Sequence, residues 1–221
     1  HAVQTKQCAV LCAPPGAGKT TVVTLTLLSS GGFDGKIIML EPRRLAARAA
    51  AERMAKTLNE KVGQTIGYRV RGDAKTSSDT KIEVVTEGIL TRMIQSDPEL
   101  HGTACIIFDE FHERSLNADL GLALSLEIQD ALRDDLRIVV MSATLDADPI
   151  SKLMNNAPII TSKGRSYSVE PIWLSRPVPT HQRLETGISI LIHQALEKTD
   201  GGVLVFLPGE REIRNVLRTL S

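Results

Sequence analysis

The segment "DEFHER" (109–114) places ionisable side chains directly after the apolar run "ACIIF" (104–108). A carboxylate at the end of a buried strand can hold Mg²⁺ through its water shell, because this hard cation favours oxygen ligands and keeps several waters. An adjacent carboxylate can orient and deprotonate an attacking water molecule. Asp109 is the candidate for the first role and Glu110 for the second.

Other interpretations of this segment start from the same residues. By itself it also fits a solvated loop with internal ion pairs. A zinc-protease site is excluded, because the second histidine would have to stand at position 116, which is Leu116. Paired carboxylates for sugar hydrolysis are possible in principle. Adjacent strand residues point to opposite faces, however, and the sequence shows no sign of a sugar cleft.

A second segment, "APPGAGKT" (13–20), follows the first apolar run and precedes a helical pattern. Gly16 and Gly18 would let backbone N–H groups converge on phosphate oxygens, and the helix N-terminus adds partial positive charge. Lys19 would reach the β- and γ-phosphates, and the Thr20 hydroxyl would bind Mg²⁺. The structural alternative is a Gly/Pro turn that starts a helix. The spacing favours a nucleotide site.

The elements that position these segments follow from hydrophobic periodicity. Five short apolar runs predict strands at 8–13, 36–40, 81–85, 104–108 and 137–141. Helical patterns lie between them, at 19–29, 43–58, 87–94 and 116–132, the last with an apolar stripe of Leu116, Leu120, Leu124 and Ile128. This alternation predicts an α/β fold with a central parallel sheet covered by helices on both faces. The carboxyl ends of parallel strands meet at one edge, so the phosphate loop and the acidic pair should lie together.

The remaining segments are less regular. Residues 66–70 predict a short extra strand, followed by a polar loop at 71–79. The proline-rich stretch 164–179 predicts an extended connector. Residues 180–198 predict a helix, and 201–220 predict a strand, a Pro-Gly turn and a helix. One strand–helix unit cannot bury its own apolar face, so the end of the chain is interpreted as the start of a second α/β domain.

Composition limits the classes of partner. The chain has 26 basic and 26 acidic residues among 221, so a nucleic-acid surface would have to be a local patch. The three cysteines, Cys8, Cys12 and Cys105, are expected to be reduced, with no disulfide partner, in a cytoplasmic protein. No apolar run approaches the length of a membrane helix, and no signal peptide is recognised, so no membrane partner is expected.

Taken in order, these segments resemble the DEAH/RHA group of superfamily 2 helicases, and most closely its bacterial HrpB-type branch. The matching segments are APPGAGKT, EPRRLAARAAAERMA, TEGIL, DEFHERS, SATLDA, GRSYSVE and VLVFLPGE. The resemblance implies a RecA-like P-loop domain, a second RecA-like domain, ATP (or another nucleoside triphosphate) with Mg²⁺ between them, and single-stranded RNA, or DNA, across their tops.

The resemblance also implies roles for individual residues. It assigns phosphate binding to Gly16, Ala17, Gly18, Lys19, Thr20 and Thr21. Catalysis falls to Glu110, Lys19 and His112, with Thr20 and Asp109 on Mg²⁺. Arg53 matches an arginine that stacks on the nucleotide base. Coupling between nucleotide and strand falls to His112, Ser142 and Thr144, and nucleic-acid contact to Arg43, Arg44 and Thr86. Taken singly, Arg44 with Arg48 and Glu52 also fits a solvated helix face, Arg53 a surface residue, and Ser142 with Thr144 a cap on a helix at Asp146.

Some positions depart from the family pattern. Thr24 and Ser168 stand where relatives commonly carry proline, and the second-domain motif with two arginines that stabilise the transition state is not found in these 221 residues. We predict domain 1 over 1–162, a connector over 163–179 and the start of domain 2 over 180–221. The expected function is an ATP-dependent RNA helicase motor whose 221-residue chain binds ADP–Mg²⁺ but hardly hydrolyses ATP. The alternatives are a non-hydrolytic RNA-binding or regulatory module and a P-loop ATPase without a nucleic-acid substrate.

Overall fold

The apolar runs of the sequence form neighbouring strands of one sheet in the computed structural model of the protein. The structure describes residues 2–144, 147–163, 168–174 and 183–220. The chain divides into two units, 1–167 and 168–221. Among the described residues, no helix combines the length and the apolar character that crossing a bilayer requires.

The first unit is built on an eight-stranded sheet. In chain order the strands are β1 Cys8–Cys12, β2 Lys36–Glu41, β3 Ile66–Val70, β4 Asp73–Lys75, β5 Ile82–Thr86, β6 Thr103–Phe108, β7 Arg137–Ser142 and β8 Ile159–Thr161. Their order across the sheet is β4-β3-β5-β2-β6-β7-β1-β8. Every pairing is parallel except that of β3 with β4. The prediction of an α/β fold with a central parallel sheet is confirmed.

Helices and apolar cores cover both faces of this sheet. The helices of the first unit are α1 Ala2–Lys6, α2 Thr24–Ser29, α3 Arg44–Thr57, α4 Glu87–Ser96, α5 Leu116–Ala131 and α6 Asp148–Leu153. A π-helical turn, Lys19–Val23, leads directly into α2, so the predicted helix 19–29 has a wide first turn. One core lies between the sheet and α4, α5 and α6, and the other packs α3 on the opposite face. Because the central strands are buried on both faces, their sequences are largely apolar, with Glu83 in β5 and Glu41 at the end of β2 as buried exceptions.

Strand β7 lies between the two strands that carry the chemistry-bearing loops. Val140 of β7 is paired with Val10 of β1 on one side and with Phe108 of β6 on the other. All three side chains are buried. This row of residues therefore aligns the phosphate loop, which follows β1, with the acidic pair, which follows β6.

Helix α5 buries a different face from the one that the leucine pattern predicts. Leu116 is 83% exposed and Leu120 is 44% exposed, whereas Gly121 and Leu122 face the core. A Cβ atom added at Gly121 would lie 3.4 Å from side-chain atoms of Leu90 and Phe108. The helix approaches its neighbours through small residues, and the predicted stripe is wrong at its first two positions.

Several short elements were not predicted. Strand β4 lies within the predicted loop 71–79, and α1 and β8 had no predicted counterpart. The helix expected at Asp146 begins at Asp148, while residues 145 and 146 lie outside the described part of the chain. Three-residue strands and single helical turns give no periodicity to detect, because a period needs at least two repeats.

The second unit contains two helices, α7 Leu184–Lys198 and α8 Glu210–Leu220. The strand predicted at the start of segment 201–220 is wrong in the described part of this unit, because residues 202–207 have no regular secondary structure. A strand is defined by pairing with a neighbour, and no strand is described within 168–174 and 183–220. Residues 164–167 of the predicted connector, and residues 175–182 at its junction with the predicted helix, lie outside the described residues.

Candidate nucleotide site and its neighbouring loops

The loop after β1 has the backbone that a phosphate-binding loop requires. Gly16 and Gly18 have φ values of 77° and 78°, a left-handed conformation that glycine adopts without strain. Lys19 begins the following helical turn and is 5% exposed. Its Nζ donates hydrogen bonds to the carbonyl oxygens of Ala13, at 2.6 Å, and Pro14, at 3.2 Å. The ammonium group therefore lies within the curve of the loop.

The phosphate loop and the acidic pair meet in direct contact. The Thr20 hydroxyl donates to Asp109 Oδ2 at 2.5 Å. The other oxygen of Asp109 accepts the backbone N–H of Glu110 at 2.8 Å, and the Asp109 side chain is buried. These residues follow strands that are separated by β7, so the contact depends on the loops converging above the sheet edge.

A cleft of about 320 Å³ opens between the phosphate loop and α3. Its volume is within the range of small-molecule sites. It is lined by Thr20, Thr21, Glu41, Pro42, Arg43, Ala46, Ala49, Ala50, Arg53, Glu110 and Glu113. The structure thus gathers Thr21, Arg53 and Glu110, which sequence analysis assigned to nucleotide binding and catalysis, in one concave surface.

Sequence analysis missed Glu41, which ends β2 beside the acidic pair. Its side chain is buried. Burial first, and the neighbouring Asp109 carboxylate second, raise the pKa of Glu41 to about 8. The signal that the sequence offers for this residue is a carboxylate directly before Pro42 at the end of an apolar strand.

Between Glu110 and Arg114 the backbone makes one tight 3-10 turn, Phe111–Glu113. Glu110 and Arg114 have φ values of 49° and 51°, which are unfavourable for residues other than glycine. The Nδ1 atom of His112 lies 3.3 Å from Glu110 Oε2 and accepts the backbone N–H of Ala143 at 3.3 Å. His112 therefore joins the acidic loop to the loop after β7.

The loop after β7 is held by its own hydroxyl groups. The Ser142 and Thr144 hydroxyls lie 3.0 Å apart, and Ser142 Oγ accepts the backbone N–H of Thr144 at 3.1 Å. The two predicted coupling residues thus form one turn, and His112 contacts the residue between them.

The predicted nucleic-acid contacts lie at the ends of neighbouring strands. Arg43 and Arg44 are exposed at the start of α3, and Thr86 is half-buried directly before α4. Arg43 is already paired, because its Nη2 lies 2.5 Å from Glu113 Oε1. β2 and β5 are adjacent, with Glu41 opposite Thr86, so all three residues lie along one stretch of the sheet edge.

A glycine-lined loop that opens a helix beside a buried acidic strand end defines a P-loop nucleotide-binding domain of the RecA type. The profile of the DEAD/DEAH box helicase family matches residues 1–153, and the chain belongs to that family. The "ATP-dependent RNA helicase HrpB" of Escherichia coli is 52% identical over 212 residues, which cover 96% of this chain and 26% of that protein. The "ATP-dependent RNA helicase HrpA homolog" of Haemophilus influenzae is 39% identical over 97% of this chain and 17% of its own length.

A solved structure supports the same assignment. The crystal structure of Escherichia coli DEAH/RHA helicase HrpB superposes with a TM-score of 0.93 at 51% identity, covering 99% of this chain and 28% of that chain. The resemblance inferred from the motifs is confirmed. The chain spans about a quarter of the length of HrpB.

Proposed function

We propose that this chain is the nucleotide-binding motor region of an ATP-dependent RNA helicase that hydrolyses ATP and moves a single strand of RNA. The observation that carries the proposal is the contact between Thr20 and Asp109 at 2.5 Å, because it unites the phosphate loop with the acidic pair. The similarity to proteins named ATP-dependent RNA helicases supports the choice of nucleotide and strand.

The donor set fits Mg²⁺. A hydroxyl and a buried carboxylate meet at the mouth of the phosphate loop, and both are the hard oxygen ligands that this cation prefers. Thr20 and Asp109 would hold the ion. When bound, it would neutralise negative charge on the phosphates.

The chain's own residues supply the remaining functions. The backbone of residues 16–21 would bind phosphate oxygens, and Lys19 would exchange its carbonyl partners for the terminal phosphates. Glu110, on the cleft wall, would orient the attacking water and accept its proton. Arg53, which lines the cleft from α3, would stack on the base.

We further propose that residues 1–162 form the first motor domain, that 163–179 form a connector, and that 180–221 begin a second RecA-like domain. In such motors, arginines contributed by a second domain raise the rate of hydrolysis by about 10³–10⁵-fold. The 221-residue chain should therefore bind ADP–Mg²⁺ and hydrolyse ATP scarcely above background. A cytoplasmic location stays a prediction, which the buried, unpaired thiols support.

The decisive experiment measures ATP hydrolysis by the full-length protein with and without single-stranded RNA, and with single-stranded DNA in parallel. We expect RNA to stimulate hydrolysis. Equal rates with and without a strand would favour an ATPase that acts on no nucleic acid. RNA binding without any hydrolysis would favour a regulatory module.

Two substitutions test the assigned roles in the same assay. Glu110→Gln should retain ATP binding but lower kcat by at least about a hundredfold, because the water loses its base. Lys19→Ala should weaken ATP binding. Glu127→Gln and Lys152→Ala change the same residue types at exposed positions in α5 and α6 and serve as controls. Normal hydrolysis by Glu110→Gln would move the water-activating role to another residue.

A further inference from the structure

The segment 110–115, here called the acidic turn, is tied to two neighbouring loops by side chains that have no role in the proposed chemistry. On one side, Glu113 Oε1 lies 2.5 Å from Nη2 of Arg43, which directly precedes α3. On the other, the Ser115 hydroxyl donates to Oε2 of Glu87, the first residue of α4, at 2.6 Å. Both partners stand at helix starts that carry proposed nucleic-acid contacts, Arg43 itself in the first case and Thr86, next to Glu87, in the second.

The acidic turn is short and is held by internal hydrogen bonds and one aromatic contact. A displacement of one end is therefore transmitted to the other end. The backbone N–H of Glu113 donates to the Glu110 carbonyl at 2.9 Å, and that of Arg114 donates to the Phe111 carbonyl at 3.1 Å. Phe111 is buried and packs edge-to-face on Phe108, with ring centroids 6.1 Å apart. The turn is therefore anchored at Phe111, and Glu110 and Glu113 lie on either side of the anchor.

The two interactions, Glu113 with Arg43 and Ser115 with Glu87, differ in how readily another group can replace one of the partners. The side chains of Arg43 and Glu113 are 71% and 34% exposed, so a phosphate group can reach the guanidinium and compete with the carboxylate. The Ser115 hydroxyl is part-buried and also accepts the backbone N–H of Ala118, where it caps α5. Binding of a strand at Arg43 would thus release one tie and leave the other in place.

We propose that Glu113 and Ser115 are positioning residues that link the nucleic-acid loops to the placement of Glu110. Glu113 pairs with Arg43 in the loop after β2, and this pair would break when Arg43 binds a phosphate instead. Ser115 holds the turn to the start of α4 through Glu87, next to Thr86 at the end of β5. This inference deepens the proposed function and rests on it, because it assumes that a strand binds at these loops and that Glu110 acts on water.

The test measures coupling in the full-length protein. Affinity for a fluorescein-labelled uridine oligonucleotide is determined by anisotropy, with and without ADP and beryllium fluoride, and RNA stimulation of hydrolysis is measured alongside. We expect Glu113→Gln and Ser115→Ala each to reduce the nucleotide-dependent change in RNA affinity by about two- to fivefold. Glu113→Asp should recover most of the wild-type change, because it retains the carboxylate.

A matched control lies in the same region. Asp119 pairs with Arg114 at 3.2 Å. This ion pair joins the acidic turn to α5 and does not involve the segments of Arg43 and Glu87. Asp119→Asn removes the same charge and should leave the coupling at its wild-type value. Melting temperatures of all variants show whether a loss of coupling merely reflects a loss of folding.

The outcomes separate this inference from the function on which it rests. If RNA stimulates the wild-type protein and both variants keep the wild-type coupling, the inference is overturned and the proposed function stands. If Asp119→Asn lowers the coupling as much as Glu113→Gln does, the effect is one of general charge and the inference is also overturned. If RNA does not stimulate the wild-type protein, the proposed function itself is overturned.

Discussion

Replacement of Glu41 by glutamine should make the protein more stable at alkaline pH while changing little at acidic pH. Glu41 is 4% exposed and lies beside the Asp109 carboxylate, so its negative form is poorly accommodated. Glutamine has nearly the same shape and can donate a hydrogen bond to Asp109, but it carries no charge to desolvate.

The magnitude follows from the pKa. The ordinary value of 4.5 and the folded value of about 8 differ by an amount that corresponds to roughly 5 kcal/mol. Below pH 4.5 the carboxyl group is protonated in both states and adds no pH dependence. Above that value the unfolded chain loses the proton while the folded chain keeps it up to about pH 8. Wild-type stability should therefore fall by up to about 1.4 kcal/mol per pH unit in this window relative to Glu41→Gln.

Urea denaturation of both proteins at pH 5, 6, 7 and 8 measures this difference. The advantage of Glu41→Gln should grow by about 2–4 kcal/mol between the lowest and the highest pH. Glu127→Gln, which removes an exposed carboxylate from α5, should show a constant difference from wild type. A stability difference between Glu41→Gln and wild type that does not vary with pH would refute the reasoning, because it would mean that Glu41 ionises as readily in the folded protein as in the unfolded chain.

Two further predictions concern the interior of the first unit. Glu83 is 2% exposed and contacts Arg69 at 2.7 Å and Lys36 at 3.9 Å. Arg69→Ala should cost about 1–3 kcal/mol of unfolding free energy by urea denaturation, and more than Glu83→Ala, because it leaves the buried Glu83 carboxylate with only the more distant Lys36. Burial raises the pKa of all three cysteines, that of Cys105 to about 12, so Ellman's reagent should label them no faster than the protein unfolds. Fast labelling without denaturant would contradict this.

The apolar runs predicted the central strands well because those strands are buried on both faces. Every residue of β6 is buried, so its sequence is apolar from Ala104 to Phe108 and stands out from its surroundings. Strand β8 offers the opposite case, since its three residues are exposed and it is held by backbone pairing to β1. Helix α5 shows a third case. Small residues such as Gly121 form much of its buried face, whereas Leu116 and Leu120, which the apolar pattern predicted to be buried, are exposed.

The convergence of the loops could be predicted, but the individual contacts could not. Parallel strand order requires the phosphate loop and Asp109 to share an edge, and the structure places Thr20 against Asp109. The pairing of Arg43 with Glu113 joins residues 70 positions apart, and the burial of Glu41 depends on which strand lies next to β2. Pairings of this kind are set by strand order and side-chain conformation, which local sequence patterns do not contain.

The paired residues Val10, Val140 and Phe108 set the distance and the register between the two strands that carry the proposed site. Neighbouring strands lie about 4.8 Å apart, so β1 and β6 stand about 10 Å from each other with β7 as the spacer. A substitution that slid β7 by one residue along either neighbour would offset Lys19 from Asp109 by about 3.3 Å, and the hydroxyl of Thr20 would no longer reach the carboxylate. Mutations at the buried Val140 that shift this register can thus disable the site, although Val140 lies within the sheet and in neither of the two loops.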